Sequence, residues 1–394
     1  MQVSRRWRLF VREEPGISHA VVKTDGDSER LLRNFSLESL RSLKCKSFVG
    51  HDRLRDAPCR ALLARTPSLT ELSLLFISTD AVAPQLAALK HLKTLTASGA
   101  PFTDGACRAI AQLSQLTRLH LHSFDTRSAV ADLPPSLTRL SLSGTPLSEA
   151  NVARISVLSR LTELTLVCSA STLDFLRGPL QQSLTHLTVG TVLLPCTVPD
   201  LPRLVSADMG CADALDCVSM VRSAPGLEEL WVRRCGPQHL EALAGCRRLR
   251  NLGLRSPLDT ADAHLLARLA PLDSLTLTDI DEMALPVVAC CQPSLLNLSV
   301  SVCGRVSPRS LECLRPLARL RSLRVAASSR VGRSVSPRAA FGWITSRSLP
   351  VLRRLRISLT GALFTSEAMA EVAPHVPVLY WNETLVRAPV GVWV

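Results

Sequence analysis

The segment Leu116-Thr117-Arg118-Leu119-His120-Leu121 has leucine at its first, fourth and sixth positions. From Arg118 onwards polar residues alternate with leucines, which is the period-2 pattern of a short β-strand. In such a strand Leu119 and Leu121 point to one side of the sheet, whereas Arg118 and His120 point to the other. The segment therefore predicts a strand whose leucine side has to be buried by neighbouring parts of the chain.

The same pattern recurs along the chain at a nearly constant spacing. Between Leu69 and Leu295, successive copies start 20 to 24 residues apart, a period typical of repeats that contain one strand and one helix. The longer steps at both ends of the array indicate insertions there. The copies start at Leu40, Leu69, Leu92, Leu116, Leu137, Leu161, Leu184, Leu204, Leu227, Leu249, Leu272, Leu295, Leu320 and Leu352.

The stretches between these strands have apolar residues at helical spacing. Residues 104–113, 238–244 and 263–269 are the clearest, and they are rich in good helix formers. Neither a strand nor a helix can bury its apolar side alone, so the units must stack. Parallel strands about 4.8 Å apart, backed by wider helices, predict a right-handed α/β horseshoe with strands on the concave face and helices on the convex face.

These units resemble leucine-rich repeats of the helix-containing kinds. They are similar to the Gly-Ala-Leu-Ala type and to the cysteine-containing type found in F-box proteins, best seen in Phe102-Thr-Asp-Gly-Ala-Cys-Arg-Ala-Ile-Ala-Gln-Leu-Ser-Gln-Leu-Thr-Arg-Leu-His-Leu121. The resemblance implies a leucine-rich repeat solenoid. We expect about fourteen units in residues 37–366, an N-terminal cap at 1–36 and a C-terminal cap at 367–394.

The match departs from the family at one position. Three residues after the third leucine the family usually has Asn or Cys, whose side chain bonds the backbone of adjacent turns, and here only Cys235 and Cys303 keep it. Ile77 and Ile280 are examples of the apolar residues found there instead. An irregular connection is expected at those turns.

Composition bounds the class of protein. No stretch approaches the roughly 18 consecutive apolar residues of a membrane helix, and the basic N-terminus lacks the apolar core of a secretory signal. The 13 cysteines include no C-x-x-C pair and mostly lie in apolar stretches, for example Cys107, Cys246, Cys290, Cys291 and Cys313. They are predicted to be reduced core residues, which favours the cytoplasm or the nucleus.

Two clusters of larger side chains are predicted on the concave face. The histidine cluster consists of Arg118, His120, His122, Arg139 and His186. Histidines two apart on a strand suit a metal or a pH-sensitive contact, but no carboxylate or cysteine has an obvious place beside them, so a partner contact or a solvated surface is favoured. The tryptophan cluster consists of Glu229, Trp231, Arg233 and Arg255. Its composition is that of an interface hot spot, the alternative being a tryptophan that covers its neighbours.

The net charge of +13 is concentrated near the C-terminus. Between Arg305 and Arg356 the sequence has thirteen arginines and a single acidic residue, Glu312. Such a patch attracts acidic protein or nucleic acid, unless it is simply a solvated arginine face. The predicted basic patch consists of Arg324, Arg330, Arg333, Arg338, Arg354 and Arg356.

The N-terminus carries a second resemblance. Val3-Ser-Arg-Arg-Trp-Arg8 is similar to the Val-Cys/Ser-x-x-Trp end of the F-box motif, which commonly precedes repeats of this kind, and only this tail is present in the sequence. The resemblance implies docking to a Skp1-like adaptor of a cullin-type (SCF) ubiquitin ligase, with the repeats recognising its substrate. A chance match is the alternative.

No catalytic or cofactor signature occurs in the sequence. There is no phosphate-binding glycine loop, no H-E-x-x-H, no G-x-S-x-G and no metal-spaced Cys/His set. We therefore expect neither an enzyme nor a cofactor. The main prediction is a scaffold that binds another macromolecule through its concave face, and a ubiquitin-ligase receptor or a nucleic-acid-associated protein are the alternatives.

Overall fold

The computed structural model describes residues 18–46, 56–77, 79–98, 104–124, 133–144, 149–167, 173–190, 198–209, 217–233, 235–303, 307–327, 341–345, 347–359, 374–381 and 384–387. The chain forms two compact units, Met1–Arg203 and Leu204–Val394. Among the described residues, no helix is both long and apolar enough to cross a bilayer.

The first unit is a parallel sheet in which each strand pairs with the next along the chain. Its strands are β1 (His19–Val22), β2 (Ser42–Lys46), β3 (Glu71–Leu75), β4 (Thr94–Ser98), β5 (Arg118–Phe124), β6 (Arg139–Gly144), β7 (Glu163–Val167) and β8 (His186–Val189). The helices between them are α1 (Asp25–Asn34), α2 (Asp56–Ala64), α3 (Ala83–Ala88), α4 (Asp104–Ala111), α5 (Glu149–Ser156) and α6 (Pro179–Ser183).

The second unit repeats this plan. Strands β9 to β16 are parallel, and β17 returns antiparallel to β16. The strands are β9 (Ser206–Met209), β10 (Glu229–Val232), β11 (Asn251–Leu254), β12 (Ser274–Asp281), β13 (Asn297–Cys303), β14 (Ser322–Ala327), β15 (Arg354–Leu359), β16 (Val378–Trp381) and β17 (Thr384–Arg387). The helices are α7 (Cys217–Ser223), α8 (Pro237–Leu243), α9 (Thr260–Leu265), α10 (Leu285–Cys291) and α11 (Pro308–Glu312).

The leucine pattern sets the register of the sheet in both units. Every strand from β2 to β15 begins two residues after the first leucine of its repeat. The middle leucines face one another across neighbouring strands, as Leu119 does with Leu140 and Leu252 with Leu275, and each is at most 2% exposed. A slip by one residue would bring these side chains into water, at about 1.5–3 kcal/mol per leucine. The predicted α/β leucine-rich repeat solenoid is confirmed.

The two predicted caps contain regular structure. In residues 1–36 the structure has strand β1 and helix α1, and β1 pairs in parallel with β2. Thr24 caps α1, because its Oγ1 accepts a hydrogen bond from the Asp27 amide at 3.1 Å. In residues 367–394, β16 continues the parallel sheet and Leu379 is completely buried. The boundaries at residues 36 and 366 remain predictions.

Side chains other than the family's asparagine satisfy the backbone between repeats. Cys235 is buried, and its backbone amide donates to Ser256 Oγ at 3.2 Å. Gln292, 1% exposed, accepts from the Leu272 amide at 3.0 Å and donates to the Leu266 carbonyl at 2.7 Å. Cys303 does not follow the family pattern, since its thiol is exposed and lies 3.4 Å from the carboxylate of Asp279.

The prediction that the cysteines fill the core is correct only in part. Cys107 and Cys246 are buried, but Cys291 and Cys313 are half-buried and Cys290 is exposed. The reason is geometric, since α10 buries only the stripe that contains Leu285, Val288 and Ala289. Cys290 directly follows Ala289, so its side chain points about 100° around the helix axis from that residue and away from the buried stripe.

Candidate partner-binding surface

The residues between the buried leucines form what we call the exposed face of each sheet. It is made by the second, fourth and sixth residues after the first leucine of each repeat, and parallel pairing arranges the second and the fourth in two rows across the strands. In the first unit, Arg118, Arg139, Glu163 and His186 are neighbours in one row, and His120 and Ser141 in the other. In the second unit the rows place Trp231 beside Gly253 and Arg356 beside Tyr380.

The histidine cluster is held by polar contacts across strands. Arg139 Nη2 lies 3.0 Å from Glu163 Oε1, and His122 Nδ1 lies 2.8 Å from Ser143 Oγ. His186 stands beside Glu163 in the same row, with its Nδ1 2.9 Å from Thr185 Oγ1. The expectation that no carboxylate lies beside these histidines is therefore wrong, because Glu163 belongs to the cluster and neutralises part of its charge.

His120 lies among positive groups in the middle of the cluster. Burial lowers the pKa of its imidazole, and His122, Arg118 and Arg139 lower the pKa further, against an opposite effect of Glu163. His120 is therefore neutral at neutral pH and offers one donor and one acceptor. In the described part of the chain, no group of three His, Cys, Asp or Glu side chains is arranged to hold a metal ion.

The tryptophan cluster is built around a fixed indole. Trp231 Nε1 donates to Glu229 Oε1 at 2.9 Å, and Ser206 Oγ donates to Glu229 Oε2 at 3.1 Å. The ring lies on the backbone of Gly253 in the next strand, where a Cβ would come within 2.1 Å of Trp231 Cε3. Arg255 Cζ is 5.7 Å from the centre of the ring, within the range of a cation–π contact.

The second unit contains Arg233 and the arginines of β14 and β15. Arg233 is exposed immediately after β10. Arg324 lies beside Arg356 in register, and Arg354 precedes them in the neighbouring row. The guanidinium of Arg356 lies 4.5 Å from the ring centre of Tyr380 on β16. Arg330, Arg333 and Arg338 lie outside the described residues, so their part in the basic patch remains a prediction.

A single depression connects the tryptophan cluster with these arginines. Its volume is about 450 Å³, with Trp231 at one end and Arg324, Arg354 and Arg356 at the other. Between the two ends lie Ser274, Thr276, Asn297, Ser299 and Ser322. This connection was not predicted from the sequence. Two residues that the prediction overlooked are Gly253, which leaves room for the indole, and Tyr380, which supports Arg356. An alignment of the repeats would have placed Gly253 and Tyr380 in the same row as Trp231 and Arg356.

Comparison with known proteins finds no protein-family model and no curated protein that matches the sequence. An internalin from Listeria monocytogenes has a similar structure, at 16% identity and a TM-score of 0.32, with 82% of this chain and 76% of that chain covered. The yeast complex of Rad7 and Elc1 contains another, at 17% identity and a TM-score of 0.46, with 79% of this chain and 82% of that chain covered. The assignment of this chain as a leucine-rich repeat solenoid therefore rests on its own register of leucines and parallel strands.

Proposed function

We propose that this protein is a non-enzymatic scaffold that binds another protein through the exposed face of its sheets. The observation that carries the proposal is the fixed position of Trp231 in that face. A half-buried indole held by Glu229 and seated on Gly253 has already lost its rotational freedom before any partner arrives. Large aromatic side chains of this kind dominate binding energy at interfaces, because little entropy is lost when they are covered.

The surroundings of Trp231 suit an interface. Glu229 and Arg255 flank the ring with opposite charges, and serine, threonine and asparagine occupy the strands beyond it. An apolar centre with a polar surround is the usual composition of a protein-binding patch. The histidine cluster of the first unit is proposed as a second contact, since it presents Arg118 and His122 as exposed side chains.

Affinity purification of the full chain, followed by mass spectrometry, tests the proposal. We expect Trp231→Ala and Arg233→Ala each to reduce recovery of the same partner at least tenfold. Met283→Ala is the matched control, since Met283 is 67% exposed and precedes α10, outside the exposed face. Recovery of every partner by both the Trp231 and the Arg233 variants would contradict the use of this surface.

A ubiquitin-ligase receptor is proposed as the alternative scaffold. It rests on the similarity of Val3–Arg8 to the end of an F-box, and these residues lie outside the described part of the chain. Co-purification of a Skp1-like adaptor that is lost in Trp7→Ala supports this alternative. The alternative is contradicted if the adaptor does not bind, or if its binding is unchanged in Trp7→Ala. Either form of the scaffold would act in the cytoplasm or the nucleus.

A nucleic-acid partner is the second alternative, and it rests on the arginines of β14 and β15. Neutralisation of phosphates by arginine makes such binding strongly dependent on salt. A titration of polyanion binding between 50 and 200 mM salt, on the order of the range over which such contacts weaken, tests it. Affinity that does not change over this range excludes phosphate contacts as the basis of binding.

A further inference from the structure

We propose that the depression between Trp231 and the arginines of β14 and β15 binds an extended acidic peptide. An apolar side chain of the peptide packs on the indole of Trp231, and an anionic side chain further along contacts Arg324, Arg354 and Arg356. This inference deepens the proposed function and rests on it, because it assigns the class of partner to one part of the exposed face.

The shape of the depression fits an extended segment lying across the strands. Trp231 belongs to β10 and lies over Gly253 of β11, whereas the arginines belong to β14 and β15. On β12 and β13 between them, Ser274, Thr276, Asn297 and Ser299 are short or medium side chains. They leave a floor low enough for a backbone to lie on, and their hydroxyl and amide groups can bond its N–H and C=O groups.

The distance between the two ends sets the spacing of the peptide's two anchors. The indole lies over β11, and β14 is three strands further, which is about 14 Å at about 4.8 Å per strand. An extended chain advances about 3.3 Å per residue. The apolar and the anionic residue should therefore be about four positions apart in the partner.

The charges lining the depression select an anion. Among the described residues that line it, three are arginines and none is acidic. Tyr380 supports the guanidinium of Arg356 at 4.5 Å, and Arg324 lies in register beside Arg356. Guanidinium groups bind carboxylate and phosphate oxygens in a bidentate manner. The shared chemistry is thus an anionic oxygen, from either an acidic residue or a phosphorylated one.

The arrangement favours a peptide over a single-stranded nucleic acid. Strand-binding surfaces present several aromatic platforms for successive bases and positive charge along the whole backbone path. Here one indole lines the depression, and its arginines are grouped at the opposite end. The short polar side chains between the two ends offer hydrogen-bond donors and acceptors to a peptide backbone that lies across the strands.

Fluorescence anisotropy with the full chain tests the inference. The probes are labelled peptides of about ten residues that contain one leucine and one anionic residue, glutamate or phosphoserine, separated by two, four or seven positions. A serine peptide with the same spacing is the uncharged reference, and inorganic phosphate is the competitor. We expect affinity to peak at the separation of four and to exceed that of the serine peptide at least tenfold.

Variants of the protein locate the binding. Trp231→Ala, Arg324→Gln and Arg356→Gln should each weaken the best peptide at least tenfold. Arg319→Gln removes the same charge from an exposed residue that does not line the depression, and it should have little effect. The phosphoserine and glutamate series identify which anion the arginines prefer, and either preference supports the inference.

Any one of three binding results would overturn it, and so would a lack of binding by every peptide. The three results are affinity that does not depend on the separation of the two anchors, an equal loss in Arg319→Gln, and tighter binding of single-stranded RNA than of any peptide with loss in Arg324→Gln. If none of these peptides binds while a partner protein is still lost in Trp231→Ala, the acidic-peptide inference fails and the scaffold function stands.

Discussion

Trp231 lies flat on the backbone of Gly253, so that a methyl group on Gly253 would come within 2.1 Å of Cε3 and 2.5 Å of Cδ2 of the indole. Gly253 itself is buried, because the ring covers it. We therefore expect Gly253→Ala to push the indole off the sheet and to weaken partner binding nearly as much as Trp231→Ala. With 5-fluorotryptophan incorporated, the ¹⁹F signal that disappears in Trp231→Phe should shift in Gly253→Ala.

Gly236→Ala is the matched control for this prediction. Gly236 is in the same unit, and a Cβ there would meet only His239 Nδ1, at 3.8 Å. The fluorine signal of Trp231 should stay in place in this variant. An unshifted signal in Gly253→Ala would show that the indole does not rest on that glycine.

Gln292 connects two repeats from inside the core. Replacement by leucine would leave the buried Leu272 amide without its partner, at a cost of about 1–3 kcal/mol. The Leu266 carbonyl would lose the bond from Gln292 but would keep the one from the Leu269 amide, at 3.2 Å. We expect the urea midpoint of unfolding to fall clearly in Gln292→Leu. Gln238→Leu, at an exposed position of α8, should change the midpoint little. Equal midpoints for the two variants would show that Gln292 is not needed.

His120 should titrate below the usual range of histidine. Burial lowers the pKa of its imidazole, the neighbouring His122, Arg118 and Arg139 lower it further, and Glu163 acts in the opposite direction. Glu163→Gln should therefore lower the pKa further, and Arg118→Gln should raise it. NMR titration of the His120 ring checks both signs, and a pKa above about 6.5 in the unaltered protein would contradict the prediction.

The same shift links His120 to stability. A histidine whose pKa is lower in the folded state binds its proton first in the unfolded chain as the pH falls. The free energy of unfolding should therefore decrease as the pH drops from above about 6.5 towards the folded pKa. The decrease should be smaller in His120→Gln, and urea unfolding at a series of pH values measures the difference.

The cysteines should differ sharply in reactivity. Burial raises the pKa of the Cys235 thiol to about 12, and the residue is 4% exposed. Among the cysteines that the structure describes, iodoacetamide at pH 8 should modify the exposed Cys290 first, because the thiolate is the reactive form. Cys303 is exposed too, but partial desolvation of its sulfur and the nearby carboxylate of Asp279 raise the pKa of its thiol. It should therefore react more slowly than Cys290. A time course by mass spectrometry in which Cys235 reacts as fast as Cys290 would contradict this order.

The sequence by itself determined the repeats, the position of each strand from β2 to β15 and the side of the sheet that is buried. This was sufficient because the pattern is local, since leucines at the first, fourth and sixth positions can be buried in only one register. It also placed Arg118, His120 and Arg139 together, because Arg118 and Arg139 occupy the same position in neighbouring repeats and His120 follows Arg118 by two residues on the same strand.

Only the tertiary structure decided how side chains from different repeats meet. Glu163 joins the histidine cluster through Arg139, Gly253 leaves room for Trp231, and Tyr380 lies against Arg356. These contacts join residues 20 or more positions apart in the chain, and they depend on side-chain direction and on the size of the neighbour. A repeat period fixes which strands are adjacent, but it does not state which way an indole turns or that a missing Cβ makes room for it.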